Sequence, residues 1–107
     1  MDKNIDNTIA NYIDLIKKKY ADIERVYLFG SFVKGKSTDD SDIDLAIVFK
    51  HLDDSTRFNV QVQLMLLATQ IDSRIEPHPL SHEDFNSGNP FAIEIKKTGI
   101  EIPAQAL

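Results

Sequence analysis

The most constraining feature of this chain is the segment 30–44, GSFVKGKSTDDSDID, together with the apolar runs on either side of it. Gly30 and Ser31 follow the apolar run 26–29, and Asp42 and Asp44 stand at the start of the run 43–49. Short apolar runs bounded by turn residues are typical of buried strands. We therefore predict a small-residue turn and two alternate carboxylates at the ends of two strands.

The two carboxylates indicate a cation site. Successive side chains of a strand point to opposite faces, so Asp42 and Asp44 should share a face, with Cα atoms roughly 6.5 Å apart. Two carboxylates this close repel each other unless a cation lies between them. Mg²⁺ commonly takes one or two carboxylates plus substrate phosphate oxygens, and two such ions can bind both the attacking and the leaving oxygen.

The Gly-Ser pair indicates a phosphate site. We predict that Ser31 caps a short helix whose N–H groups face an anion, and that Gly35 ends this helix. Lys34, one turn in, could reach a phosphate as a point charge. Neither a P-loop nor a dinucleotide-binding glycine motif is present. Gly-Ser alone, or the acidic cluster 39–42 alone, would be an ordinary turn; their combination between two strands favours function.

The pattern GS, ten residues, then D-x-D, with SDIDL at 41–45, resembles the minimal nucleotidyltransferases of the DNA polymerase β-like superfamily. The resemblance implies transfer of a nucleoside monophosphate, AMP from ATP above all, to a hydroxyl with two Mg²⁺ ions. By position, Gly30, Ser31 and Lys34 would bind the triphosphate, while Asp42 and Asp44 would bind the metals. Phe32 stands where the family often has arginine, which removes one expected phosphate contact.

The same resemblance implies a third acid on a later strand. Glu76 is our candidate, as a metal ligand and as the acceptor of the hydroxyl proton, because Ile75 and Pro77 beside it indicate extended chain. Asp72 is the alternative, at the junction before that strand. A structural reading makes Glu76 an exposed carboxylate of an edge strand. His78 could line the site or lie on the surface, and we assign it no catalytic role.

Length and composition restrict the remaining possibilities. The chain has 107 residues, no cysteine and a net charge of −5. We therefore expect one domain over 1–107, without disulfides or thiolate chemistry and without general affinity for nucleic acids. The start of the chain is polar and no apolar run is long enough to span a membrane, so we expect a cytoplasmic protein.

Periodicity predicts an α/β (α+β) fold, a small mixed sheet of three to four strands flanked by helices, with the resemblance implying the nucleotidyltransferase arrangement. The segment 55–71 alternates like a strand over 58–64, but its composition favours a helix. The predicted elements are helices at 4–20, 55–71 and 90–98, with Asn89 and Pro90 opening the last and Gly99 closing it, a short helical turn capped by Ser81, and strands at 25–29, 43–49, 73–79 and 100–102.

Segment 55–71 bears two apolar stripes, Phe58-Val62-Met65 and Val60-Leu64-Leu67-Ile71. Such a helix is either deeply buried or shared with a partner. The resemblance implies a partner: a small all-helical HEPN-type protein in a toxin–antitoxin pair, which such chains can modify with AMP; a homodimer is the other assembly. Two functions stay open, a protein adenylyltransferase and an antitoxin that neutralises its partner by contact alone.

Overall fold

A computed structural model of the protein describes residues 3–38 and 40–103. The chain alternates between helices and strands, as the apolar periodicity predicted. The elements are α1 (Lys3–Lys19), β1 (Ile23–Phe29), a 3-10 turn (Gly30–Phe32), β2 (Ile43–Phe49), α2 (Asp54–Ala68), β3 (Ile75–Ser81), α3 (His82–Phe85), α4 (Pro90–Thr98) and β4 (Ile100–Glu101).

The four strands form one mixed sheet in the order β3-β2-β1-β4. Strand β1 pairs antiparallel with both β2 and β4, whereas β2 and β3 run parallel. The predicted α/β fold with a small mixed sheet is therefore confirmed. Strand β3 lies at an edge, and this position accommodates Pro77 and Pro79, because an edge strand does not need every N–H for pairing.

Helices cover both faces of the sheet. Helices α1 and α2 pack on one face, where Ile13, Leu45 and Leu64 belong to one buried cluster. The buried Tyr12 hydroxyl donates to the carbonyl of Leu64 at 2.8 Å and joins these two helices. Helices α3 and α4 cover part of the other face through a second cluster that contains Val48 and Ile95. The uncovered remainder of that second face is where the predicted site residues lie.

Local signals placed most elements well. Ser81 caps α3 by accepting from the Asp84 N–H at 3.0 Å, and Asn89 caps α4 by accepting from the Phe91 N–H at 2.8 Å. The segment 55–71 is a helix, as its composition indicated, although it ends at Ala68. Among the described residues no helix is long and apolar enough to cross a membrane.

Several predictions need correction. The short helix after the first strand ends at Phe32, before Gly35, and the first strand begins at Ile23 instead of residue 25. Ser31 does not cap the short helix: the 3-10 turn begins at Gly30, whose φ of +80° turns the chain sharply right after β1, so that Ser31 lies inside the turn. The third strand runs from Ile75 to Ser81 instead of 73–79. It begins later because Asp72 accepts from the Arg74 N–H at 2.9 Å and holds the preceding residues in a turn.

Candidate active site

Asp44 occupies the centre of the candidate site. It is the second residue of β2, which lies between β1 and β3, and its register partners are Phe29 and Glu76. Its side chain is largely buried, with 21 % exposed. A Cβ atom at Gly30 would collide with Asp44 Oδ2. The turn after β1 therefore packs its backbone directly against this carboxylate, which only glycine permits.

Glu76 lies beside two further carboxylates. Its hydrogen bond with Asp42 raises the pKa of Glu76, and burial and the charges of Asp42 and Asp44 act in the same direction, while His78 opposes them. Asp42 is exposed and immediately precedes β2. The structure thus brings Asp42, Asp44 and Glu76 together, as the predicted shared face of the two aspartates requires. Asp39 of the same acidic segment is outside the described residues.

Asp44, Glu76 and His78 also form a cluster with the geometry of a cation site. Each offers one ligand atom, and these three atoms all lie within 4.8 Å of one another. The donors fit a divalent cation, because carboxylate oxygens are its usual ligands and a positive charge there would offset the negative charges of neighbouring carboxylates. Sequence reasoning gave His78 no role; its position two residues after Glu76, on the same face of a strand, was the available signal.

Asp72, the alternative third acid, has a different environment. Its carboxylate accepts from the Arg74 side chain at 2.8 and 3.1 Å. The hydrogen bond from this guanidinium lowers the pKa of Asp72. Asp72 is thus engaged in the turn before β3, whereas Glu76 is the carboxylate that the strand register places opposite Asp44.

A cleft of about 270 Å³ extends from the turn after β1 to α4, with Gly30, Lys34, Phe91 and Glu94 among its lining residues. Phe29 forms edge contacts with Phe91 and His78, with ring centroids 5.4 and 5.1 Å apart. Lys34 is exposed beside Gly30, where it can approach an anion. Phe32 does not line this cleft; it packs against the core cluster that α1 and α2 cover.

Comparisons with known proteins agree with this geometry. The family described as "Polymerase beta, Nucleotidyltransferase" matches residues 11–104. A curated relative, "Putative protein adenylyltransferase MJ0604" of Methanocaldococcus jannaschii, is 39% identical over 46 residues. That match covers 42% of this chain and 46% of the relative, so it spans about half the length of either protein.

Two solved structures have the same fold. One is a "putative nucleotidyltransferase" from Sulfolobus solfataricus, with a TM-score of 0.61 and 19% identity, covering 94% of this chain and 86% of that one. The other is a toxin–antitoxin structure with AMP-PNP, with a TM-score of 0.59 and 23% identity, covering 86% of this chain and 70% of that one. At these identities the likeness shows the fold alone.

Proposed function

Because the chain belongs to the polymerase β nucleotidyltransferase family, we propose that it transfers AMP from ATP to a hydroxyl group of a partner protein. The observation that carries this proposal is the convergence of Asp42, Asp44 and Glu76 beside the Gly30–Ser31 turn. Carboxylates next to a glycine turn and an exposed lysine are the parts that bind a magnesium-bound triphosphate.

In the proposed reaction, the acceptor oxygen attacks the α-phosphorus of ATP, the bond from that phosphorus to the β-phosphate oxygen breaks, and pyrophosphate leaves. Glu76 takes the proton of the attacking hydroxyl. Gly30 and Ser31 hold the triphosphate through backbone N–H groups, and Lys34 offsets its charge.

Two Mg²⁺ ions held by Asp42, Asp44 and Glu76 would neutralise charge on the phosphates when bound. The protein's own contribution is to fix these carboxylates on neighbouring strands. Asp44 and Glu76 are register partners across the parallel β2–β3 pair, so the sheet hydrogen bonds set their separation. The adjacent turn at Gly30 then sets the approach of the nucleotide.

The acceptor we propose belongs to a small all-helical partner of the HEPN type, with residues 1–107 working as a single nucleotidyltransferase domain. The likeness to the "Putative protein adenylyltransferase" of Methanocaldococcus jannaschii and to the toxin–antitoxin structure with AMP-PNP supports this choice. The contact surface would be the outer side of α2, where Phe58, Met65 and Leu66 are exposed. Neutralisation of the partner by contact alone is the second candidate, favoured by this same surface.

Calorimetry of ATP binding with and without Mg²⁺ tests the metal-dependent part of the proposal. We expect ATP to bind only in the presence of Mg²⁺ or Mn²⁺. In Asp42→Asn or Asp44→Asn, the metal should no longer promote ATP binding. Asp40→Asn is the matched control, because Asp40 is an exposed aspartate of the same loop and should leave binding unchanged. Equal ATP affinity with and without metal in the wild type would refute the metal assignment.

A further inference from the structure

His78 faces the carboxylates of the candidate site from the middle of β3. Its Nε2 atom lies 3.4 Å from Asp44 Oδ1, and it supplies the only nitrogen of the three-residue ligand cluster with Asp44 and Glu76. A distance of 3.4 Å is long for a hydrogen bond between a ring N–H and a carboxylate. This spacing suits two ligands of one cation better than a strong hydrogen bond between the two side chains.

The surroundings of His78 hold its ring in this orientation. The imidazole lies beside two phenylalanine rings, with centroid distances of 5.1 Å to Phe29 and 5.9 Å to Phe91. Phe29 on β1 is the register partner of Asp44 on β2, and His78 on β3 pairs with the next residue but one of β2, so the registers of these three strands place the aromatic contact beside the carboxylate. A ligand whose rotamer is fixed by packing binds a metal at a smaller entropic cost than a free surface histidine.

We propose that His78 is a metal ligand together with Asp44 and Glu76, and that it gives the site a preference for Mn²⁺ over Mg²⁺. This inference rests on the proposed function and specifies its cofactor. Mg²⁺ takes oxygen ligands and binds imidazole poorly, whereas imidazole suits first-row transition metals. Mn²⁺ is the choice among them because the other donors are carboxylates and phosphate oxygens, which Mn²⁺ accepts as Mg²⁺ does.

Electron spin echo spectroscopy of bound Mn²⁺ tests the inference directly. The sample is the full chain with Mn²⁺ and a non-hydrolysable ATP analogue, prepared unlabelled and with ¹⁵N-histidine. We expect ¹⁴N modulation from a directly bound imidazole, its replacement by ¹⁵N coupling in the labelled protein, and its loss in His78→Asn. His82→Asn is the matched control, since the His82 ring pairs with Glu24 at 2.8 Å instead of the carboxylates of the site.

Metal titrations supply the second measurement. His78→Asn should weaken Mn²⁺ binding by about tenfold or more, the size expected for loss of one well-placed ligand interaction, and should change Mg²⁺ binding by less than about threefold. His82→Asn should leave both affinities unchanged. Circular dichroism of each variant checks that it is folded.

The outcomes separate this inference from the proposed function. Bound Mn²⁺ without histidine coupling, or equal losses of Mn²⁺ and Mg²⁺ affinity in His78→Asn, would overturn the role of His78. If AMP transfer with Mg²⁺ then persists, the proposed function survives. Failure to bind either metal in the presence of the ATP analogue would overturn both.

Discussion

Glu76 is the residue that we propose as the proton acceptor of the site. Among residues 3–38 and 40–103, it is the acid that the structure links both to Asp42, through a hydrogen bond, and to Asp44, through the register of β2 and β3. The hydrogen bond with Asp42 and burial raise the pKa of Glu76 when no cation is bound. A group in this position can both bind a cation and receive the proton of an attacking hydroxyl.

Glu76→Gln should therefore keep most of the affinity for ATP and lose AMP transfer. Removal of a general base typically lowers the rate by about 10²–10⁴-fold. Single-turnover transfer from labelled ATP measures the loss, with Asp72→Asn as the comparison because Asp72 is paired with Arg74. If Asp72→Asn stops transfer while Glu76→Gln does not, the third acid is Asp72.

Gly30 offers a test of the close approach between the turn and Asp44. Both Gly30 and Gly35 have positive φ, +80° and +71°, so alanine at either position costs about 1–2 kcal/mol in backbone strain. Only at Gly30 would the added Cβ collide with Asp44, whereas nothing lies within 4 Å of it at Gly35. We expect Gly30→Ala to lose more stability in urea unfolding than Gly35→Ala.

Metal-dependent ATP binding extends the same comparison. Gly30→Ala should abolish it by displacing the Asp44 carboxylate, and Gly35→Ala should retain it. Equal effects of the two variants on stability and on binding would show that the contact with Asp44 is unimportant.

At the residue scale, the sequence predicted which residues lie near the site but not which side chains contact one another there. The D-x-D spacing placed Asp42 and Asp44 on one face, because strand alternation is strictly local. The contact of Gly30 with Asp44 depends on the pairing of β1 with β2. His78 was left without a role, because a histidine's neighbours depend on strand order and register. The parallel pairing of β2 with β3, which sets His78 two residues beyond the partner of Asp44, has no signal in either strand alone.

At the scale of elements, capping residues and apolar periodicity predicted the boundaries of helices and strands correctly where neighbouring residues alone determine them. The start of α4 at Asn89 and Pro90 is such a case, since proline suits the first turn and asparagine accepts the unpaired N–H groups. The end of α2 was misplaced by three residues, because the Gln70 and Ile71 N–H groups donate to the carbonyls of Leu67 and Ala68 in a turn. The start of β3 was misplaced by two residues, because Asp72 accepts from the Arg74 N–H. Such side-chain bonds compete with helix and strand geometry.

The cap of α4 predicts a measurable contribution to stability. Asn89→Ala removes the acceptor for the Phe91 and Ala92 N–H groups, and loss of such a cap costs about 1 kcal/mol. Asn59→Ala is the control, because Asn59 is exposed within α2, where alanine is the better helix former. Urea unfolding should show a lower midpoint for Asn89→Ala only; equal midpoints would mean that the cap contributes nothing.

At the scale of the whole molecule, α2 has one apolar side inside the protein and another outside it. Val60, Leu64 and Ala68 are buried against the sheet, while Phe58 is 79% exposed and Met65 and Leu66 are about half exposed. Of the two stripes predicted from sequence, burial thus accounts for the one containing Val60 and Leu64. The exposed side adjoins a cavity of about 380 Å³ lined by Val62, Met65 and Leu66.

We expect this exposed side of α2 to make the chain part of an assembly, because large apolar patches are seldom left bare on soluble monomers. We expect a homodimer in isolation or a tight complex with a small helical protein. Phe58→Ser should weaken that association, whereas Ile93→Ser, on the exposed side of α4, should not. Light scattering and pull-down from co-expressing cells measure both.

In the complex, ATP and Mg²⁺ should add about 329 Da per AMP to the partner, as phosphoryl transfer requires. Intact-mass spectrometry reads this out: an unmodified but tightly bound partner would favour neutralisation by contact, and a monomer that recovers no partner would refute the assembly.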